Sequence, residues 1–365
     1  MIDMNIAIPL SVLDLAPVSD GFLAGDALRN SLDLVRRAEA LGFRRYWVAE
    51  HHNMPGIASS APAVLLAHLA SVSSTIRLGS GGVMLPNHSP LVVAEQFGML
   101  EALHPGRIDL GLGRAPGTDQ LTAHALRRGG GADVEYEFPE QLRQLLGYFD
   151  GTLPADHPYH PITAVPARGY RPAMWMLGSS TYGAQAAGQL GWPYSFAHHF
   201  ASEGTDDAVA AYRRSFRPAE VLDEPYLMLG VSVICADTDE QAAWLARSGL
   251  LSFIRLRAGR PGLFPTPEEA AAYVMSPMEQ ALVRQRTGSQ VVGSPATVRD
   301  GLQRLIDRTG ADELMVTTMV HSHAARIRSF ELLAEMTERS PLQGSMIPHD
   351  LEELTVREGR QEASA

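Results

Sequence analysis

The feature that most restricts the fold of this chain is the regular alternation of short apolar segments with segments of helical periodicity. Residues 5–13, 44–49, 76–85, 108–113, 174–177, 193–197, 226–236 and 313–320 are predicted as strands. Helical patterns separate them, as in residues 24–41, which are followed by Gly42 in the position of a C-terminal glycine cap. Strands that alternate with helices form a parallel sheet. Eight such repeats favour an α/β fold of the (β/α)8 TIM-barrel type, with insertions, over a doubly wound sheet.

The chain is interpreted as a single barrel domain because no linker rich in Gly, Ser and Pro divides it. This domain is predicted to cover residues 1–340, and the polar and acidic residues 341–365 are predicted to form a partly ordered tail. Residues 260–290 are predicted to form an inserted helical segment. The three glycines at 129–131 and the Pro- and His-rich residues 154–172 are predicted to be excursions or lids.

Composition excludes several functional classes. The net charge of −11 argues against nucleic acid and anionic membranes as partners. All 30 basic residues are arginine, and the absence of lysine excludes enzymes that need a lysine amine, such as Schiff-base aldolases and Walker-type nucleotide hydrolases. Residues 1–10 lack the basic region of a signal peptide, no apolar run is long enough to span a bilayer, and Cys235 is the single cysteine. We therefore expect a cytoplasmic protein.

Polar and small residues follow the predicted strands at the points where the strands end. They are Asp14, His51, His52, Gly81, Gly82, Arg114, Ser179, Ser180, His198, His199, His321 and His323. In a barrel of parallel strands these positions meet at one rim, which is where such barrels bind their ligands. Any one of the histidines taken alone is better explained as a hydrogen-bonded surface residue. Their convergence on one rim is what predicts a site.

A metal centre is the first chemistry to consider for this set of histidines. His321 and His323 could combine with histidines from other strand ends into a zinc site. Barrel hydrolases of the amidohydrolase type, however, carry a His-x-His motif after the first strand, where this chain has Leu13-Asp14-Leu15, and use a lysine that this chain lacks. We therefore expect no metal.

Gly178-Ser179-Ser180-Thr181 opens a helix of small residues and predicts a phosphate site. Hydroxyls and free N–H groups at the start of a helix bind phosphate without a lysine, and Arg114 can add a positive charge from the end of its own strand. One such site suits a mononucleotide such as FMN. A dinucleotide fingerprint does not fit, because Gly111-x-Gly113 is followed by Pro116 in place of a third glycine. Simple N-capping by a serine, and a surface position for the arginine, are the alternatives.

Three stretches together are similar to the bacterial luciferase-like flavin-dependent monooxygenases. They are Tyr46-Trp47-Val48-Ala49-Glu50-His51-His52, the residues 79–86 (GSGGVMLP) and the residues 106–114 (GRIDLGLGR). The resemblance extends from Asn5 to about Glu338 and is greatest to the single-chain members, some of which are encoded in actinobacterial polyketide gene clusters. It implies a two-component monooxygenase, in which a separate NAD(P)H:flavin reductase supplies FMNH2. A C4a-peroxyflavin would transfer one oxygen atom of O2 to a small organic substrate. The resemblance includes natural products among the candidate substrates.

The resemblance also assigns roles to residues near the flavin ring. Glu50-His51-His52 resembles the family's Glu-His-His motif, whose first histidine lies near the reactive edge of the flavin. We expect these three residues to be catalytic. Gly81-Gly82 matches the position of a non-prolyl cis peptide in a bulge beneath the isoalloxazine, where a glycine pair also allows close approach of the backbone. Gly113 replaces a reactive cysteine beside the flavin, and His198, which we expect to contact the cofactor, replaces a tryptophan, so light emission from a long-chain aldehyde is not expected.

For the flavin phosphate, the resemblance implies binding by Arg114 and by the turn that contains Gly178, Ser179 and Ser180. Ser179 and Tyr182 stand where the family has a serine and a threonine phosphate ligand, so Tyr182 is a departure. Two alternatives stay open for the whole chain. One is hydride transfer with the deazaflavin F420, the other a non-enzymatic flavin-binding protein. The apolar predicted helices 63–73 and 90–103 match the family's subunit interface, and we expect a homodimer.

Overall fold

The computed structural model describes residues 5–127 and 134–337, and residues 134–136 are described by their backbone alone. Nine parallel strands lie within these ranges. They are β1 (Leu10–Asp14), β2 (Arg45–Val48), β3 (Arg77–Met84), β4 (Ile108–Gly113), β5 (Ala173–Gly178), β6 (Tyr194–Phe196), β7 (Leu227–Cys235), β8 (Gln290–Gly293) and β9 (Glu313–Thr317). Most of their residues are buried on both faces, as expected for strands that are covered by helices on one side and by a barrel interior on the other.

Eight of these nine strands close into a ring. Strands β1 to β7 pair in sequence order, β7 also pairs with β9, and β9 pairs with β1. The remaining strand, β8, pairs with the last part of β7, from Ser232 to Cys235. The predicted (β/α)8 TIM barrel is therefore confirmed, with β8 as an extra strand beside the ring.

The helices cover the outside of the ring. They are α1 (Ala24–Leu41), α2 (Pro62–Ala70), α3 (Pro90–Leu103), α4 (Gln120–Leu126), α5 (Val134–Asp150), α6 (Thr181–Leu190), α7 (His198–Ala201), α8 (Thr205–Ser215), α9 (Asp239–Arg257), α10 (Pro267–Ala272), α11 (Pro277–Thr287), α12 (Pro295–Thr309) and α13 (His323–Ala334). Local signals fix several ends. Gly42 terminates α1 with a φ of 85°, and Ser276 and Glu279 cap each other's backbone N–H at the start of α11.

A buried ion network fills the amino-terminal end of the barrel. The Arg45 guanidinium lies 2.8 Å from a carboxylate oxygen of Asp109 and 3.1 Å from one of Glu313. Arg77 adds a second cation, 2.6 Å from Asp109. Burial alone would raise the pKa of Asp109, but the two guanidiniums outweigh burial and lower it to about 2. Above this layer the rings of Trp47 and Trp175 meet edge to face, with centroids 5.1 Å apart.

Several predicted boundaries differ from the structure. The first strand begins at Leu10, and the predicted helical insert 260–290 contains α10, α11 and the first residue of β8, a strand that was not predicted. Residues 154–172 form turns, and their Ala167 packs so closely on Gly98 of α3 that a Cβ at Gly98 would lie 2.3 Å from its Cα. These residues therefore lie beside the barrel and line no part of the cavity described below.

Other predictions lie outside the described residues. The glycines 129–131 and the tail 341–365 both fall there, and the single-domain interpretation stays a prediction. Among the helices that the structure describes, none combines the length and the hydropathy that crossing a bilayer requires.

Candidate active site

A cavity of about 960 Å3 opens at the carboxyl ends of the barrel strands. Its floor includes Leu13 and Trp47, which belong to the apolar layer inside the ring. Seven of the residues predicted to be catalytic or to bind the cofactor line it. They are His51, Gly81, Arg114, Gly178, Ser179, Ser180 and Tyr182. The structure thus brings together residues that lie more than 100 positions apart in the sequence, at the rim where barrel enzymes bind their ligands.

The Gly81–Gly82 pair forms an irregular step in β3. The peptide bond between the two glycines is cis, and the register with β4 shifts between Gly81 and Val83. A Cβ added to Gly81 would lie 2.8 Å from Leu13 Cδ1, and one added to Gly82 would lie 2.6 Å from the carbonyl oxygen of Gly111. A side chain at Gly82 would therefore collide with the backbone of β4, and one at Gly81 would require the Leu13 side chain to move. At Gly81 a bare backbone faces the cavity, as a flat ligand would require.

A cation and a helix N-terminus meet on one wall of the cavity. Arg114 follows β4, and its guanidinium carbon lies 4.0 Å from the ring centroid of Tyr182, in the first turn of α6. Ser180 is the N-cap residue of α6, yet its side chain makes no capping hydrogen bond. The Ser180 hydroxyl therefore does not cap the helix, as the alternative to a phosphate site would require. The cation, the hydroxyl and the positive end of the α6 dipole form a cradle that suits a phosphate.

Glu50 connects the loops behind the cavity through hydrogen bonds. Its buried carboxylate accepts hydrogen bonds from His52 Nε2 at 3.0 Å, from His88 Nε2 at 2.9 Å and from the backbone N–H of Met84 at 2.9 Å. Burial raises the pKa of Glu50, but the bonds from His88, His52 and Met84 outweigh it and lower the pKa. Glu50 and His52 do not line the cavity. Both hold the loop that carries His51.

His51 presents a half-buried imidazole to the cavity. Its Nδ1 is buried and has no hydrogen-bond partner among the described residues. A hydrogen bond between His51 and Glu50 would have indicated a structural role for His51, and this bond is not observed. Burial lowers the pKa of His51, and the nearby Glu50 charge only partly offsets this. The ring is therefore neutral at neutral pH, and it can donate one hydrogen bond and accept another.

The adjacent histidines His198 and His199 point to different surroundings. His198, which was predicted to contact the cofactor, is buried away from the cavity, and its Nδ1 lies 2.7 Å from the Thr205 hydroxyl. His199 lines the cavity instead. A Cβ on Gly230 would lie 2.7 Å from its Nδ1, and burial lowers its pKa to about 3. The pair opens the short helix α7, where one residue turns the ring by about 100°. The sequence had no signal to select between them.

The remaining polar residues of the predicted rim have other partners. Asp14 is buried and pairs with Arg326 at 2.7 Å. His321 Nε2 lies 3.0 Å from the carbonyl oxygen of Asp20, and His323 Nε2 lies 2.9 Å from an Asp33 carboxylate oxygen. The structure does not bring these residues to the cavity. In the described part of the chain, no three residues with metal-ligating side chains are grouped as a metal site requires.

The sequence profile of the family described as luciferase-like monooxygenase matches residues 8–313. The chain belongs to this family. Over 338 residues it is 48% identical to the protein named luciferase-like monooxygenase in Escherichia coli (strain K12), a match that covers 93% of this chain and 99% of the relative. Over 330 residues, this luciferase-like monooxygenase is 35% identical to the N-acetyl-S-alkylcysteine monooxygenase of Bacillus subtilis (strain 168), with 90% of this chain and 98% of the relative covered.

Solved structures share the same fold. The crystal structure of apo-MsnO8 superposes with a TM-score of 0.82 at 39% identity, over 92% of this chain and 99% of that one. The oxygenating constituent of 3,6-diketocamphane monooxygenase from Pseudomonas putida, solved in complex with FMN, gives a TM-score of 0.68 at 18% identity, over 92% and 100% of the two chains. An F420-dependent secondary alcohol dehydrogenase gives 0.67 at 12% identity, over 91% and 100%. The last two likenesses extend to the fold alone.

Proposed function

We propose that this luciferase-like monooxygenase is an FMNH2-dependent, two-component enzyme that inserts one atom of O2 into a small organic substrate. A separate NAD(P)H:flavin reductase would supply the reduced flavin. The proposal rests on one observation. A phosphate cradle, a glycine backbone without a side chain and a neutral imidazole all line the same cavity. Natural-product tailoring stays a prediction.

The residues present fit FMN. Arg114, Ser179, Ser180 and the N–H groups of α6 would hold the phosphate, with Tyr182 stacked against the guanidinium. The backbone at Gly81 and Gly82 would support the isoalloxazine, since a side chain there would meet Leu13 or the Gly111 carbonyl. When bound, reduced flavin supplies the electrons that activate O2.

The chain itself contributes positioning, water exclusion and a proton carrier. The floor around Leu13 and Trp47 is apolar, which disfavours water in the part of the cavity that it forms. His51 can hold a proton on one ring nitrogen and accept one on the other, because its depressed pKa keeps the ring neutral. Glu50 acts one step further back, by fixing the loop that carries His51.

The proposal is tested by anaerobic titration of the protein with FMNH2 and, in parallel, with reduced F420. FMNH2 should bind, and bound flavin should reoxidise in air more slowly than free flavin. Added substrate should yield product that contains label from 18O2. If reduced F420 binds more tightly than FMNH2 and transfers hydride in the absence of oxygen, the alternative function is correct. If neither is consumed with any substrate, a binding role is favoured.

We also propose that the protein is a homodimer that pairs through α2 and α3. The leucines at 65, 66 and 69 pack on the barrel and are buried, so they do not supply an interface. The outer face of the two helices nevertheless carries exposed apolar side chains, including Val64 at 70%, Met99 at 53% and Leu103 at 66% exposure. Large exposed apolar residues on adjacent helices are typical of an interface.

A further inference from the structure

Two arginines besides Arg114 line the cavity, the exposed Arg257 and the half-buried Arg286. Arg286 lies near the end of α11, in the inserted segment between β7 and β8, and it is half-buried. Its NH1 donates a hydrogen bond to the carbonyl oxygen of His199, and its guanidinium carbon lies 5.5 Å from the ring centroid of Phe253. The guanidinium is therefore held from two sides, while donors beyond NH1 are left for a bound molecule.

The charge on Arg286 has no counter-ion in the described part of the chain, where no carboxylate lies within ion-pair distance of it. The Glu203 carboxylate also lines the cavity, but it accepts a hydrogen bond from the Gln285 amide at 2.7 Å. Burial lowers the pKa of Arg286, with no opposing contribution from a nearby anion. A cation that is partly removed from water without a partner is costly, so the site favours an anionic ligand.

Arg286 also stands close to the proposed reaction centre. It donates a hydrogen bond to the backbone carbonyl of His199, and the side chains of His199 and His51 both line the same cavity. The phosphate cradle belongs to β4 and α6, whereas Arg286 approaches from α11. The cavity also has apolar lining residues beyond the floor, which include Ile57, Phe253, Leu256, Phe264, Leu282 and Met319. The cavity volume of about 960 Å3 is near the upper end of the range for ligand pockets, about 300–1,000 Å3.

We propose that this part of the cavity binds the organic substrate, and that the substrate is a carboxylate with an apolar body. The carboxylate pairs with the Arg286 guanidinium, the apolar body lies against Phe253 and Leu282, and the carbon or heteroatom to be oxidised extends toward His51. A planar guanidinium matches a carboxylate with two parallel hydrogen bonds, which also fixes the orientation of the body. This inference rests on the proposed function, because it names the substrate class of the same site.

The test compares acids with their uncharged amides, because each pair has the same body. The probes are phenylacetate, octanoate and N-acetyl-S-benzylcysteine, each with its carboxamide, titrated calorimetrically into the FMN-loaded protein. At least one acid should bind about 10- to 100-fold more tightly than its amide, the range expected for a charge-assisted pair. The preference should vanish in Arg286→Gln and be partly retained in Arg286→Lys. It should persist in Arg284→Gln, a matched control because Arg284 is exposed on the same helix.

Three results would overturn the inference. The first is that no acid binds the wild-type protein more tightly than its amide, an outcome that requires no variant to fold. The second is that the preference survives in a folded Arg286→Gln protein. The third is that Arg286→Gln weakens FMN binding about 10-fold or more, which would assign Arg286 to the flavin. Failure of FMNH2 to bind the wild-type protein would instead count against the proposed function, and the acid–amide comparison would then be made on the protein without flavin.

Discussion

Replacing His51 by alanine separates a chemical role of this ring from a structural one. Its ring makes no hydrogen bond within the described residues, so the change leaves no buried group without its partner. The expected loss in the free energy of unfolding is about 1 kcal/mol or less. Loss of a proton carrier, by contrast, typically slows productive turnover by about 10²- to 10⁴-fold, or about 3–5 kcal/mol in the activation barrier. The effect on turnover should therefore exceed the effect on stability by a wide margin.

His52→Ala is the matched control, because His52 is the next residue but points to Glu50. Its removal takes one hydrogen bond from a buried carboxylate, which should cost about 1–3 kcal/mol of stability. The assays are thermal unfolding, anaerobic titration with FMNH2, and oxygen consumption with separate measurement of product and H2O2. His51→Ala should bind FMNH2 normally, consume oxygen and release it as H2O2. His52→Ala should unfold at a lower temperature.

Two results would refute this reasoning. A folded, flavin-bound His51→Ala enzyme that forms product at the wild-type rate would remove the chemical role. A His51→Ala protein that loses stability and FMNH2 binding together, while the bound fraction still forms product normally, would establish a structural role instead.

Arg114→Ala should weaken FMNH2 binding by about 1.5–3 kcal/mol in an anaerobic titration, because it removes the cation of the phosphate cradle; an unchanged affinity would contradict the cradle. Asp109→Asn should lower the free energy of unfolding by about 3–5 kcal/mol, because buried Arg45 loses a counter-ion. In the wild type, the pKa of Asp109 is about 2, whereas its ordinary value is 3.8. The ionised carboxylate should therefore contribute its full share of the free energy of unfolding above about pH 4. About 2 kcal/mol of the free energy of unfolding should then be lost between pH 4 and pH 2. A stability that stays constant in that range would contradict this role of Asp109. Sedimentation at micromolar concentration should give a dimer and Met99→Glu a monomer; a monomeric wild-type protein would exclude the dimer.

Much of the fold could be predicted from the sequence because buried parallel strands are apolar and short. Residues 108–113 were predicted with the bounds that β4 has in the structure. Strand β8 was missed, because it has only four residues, three of them half-buried, and it follows a helix without a strong boundary. Its pairing with β7 is a contact between residues 58 positions apart, such as Ser232 and Gln290. Such contacts leave no local pattern in the sequence.

The site was predictable where a side chain follows directly from its strand. Arg114 and the turn after β5 lie on the cavity for this reason. The structural role of Glu50 was not predictable, because its hydrogen-bond partner His88 lies 38 residues away. Arg286 was missed for the same reason. It contacts His199, 87 residues away, across an inserted segment whose sequence indicates only that it is helical. A single arginine near the end of a helix is otherwise ordinary.

The paired indoles of Trp47 and Trp175 give the protein an internal optical reporter. Trp47 is part of the cavity wall, and Trp175 touches it edge to face, whereas Trp244 lies half in solvent on α9. Oxidised flavins absorb light at wavelengths where indoles emit, so a flavin above this pair would quench their fluorescence. Arrival and departure of the cofactor can thus be followed in real time, without a label and before any product is known.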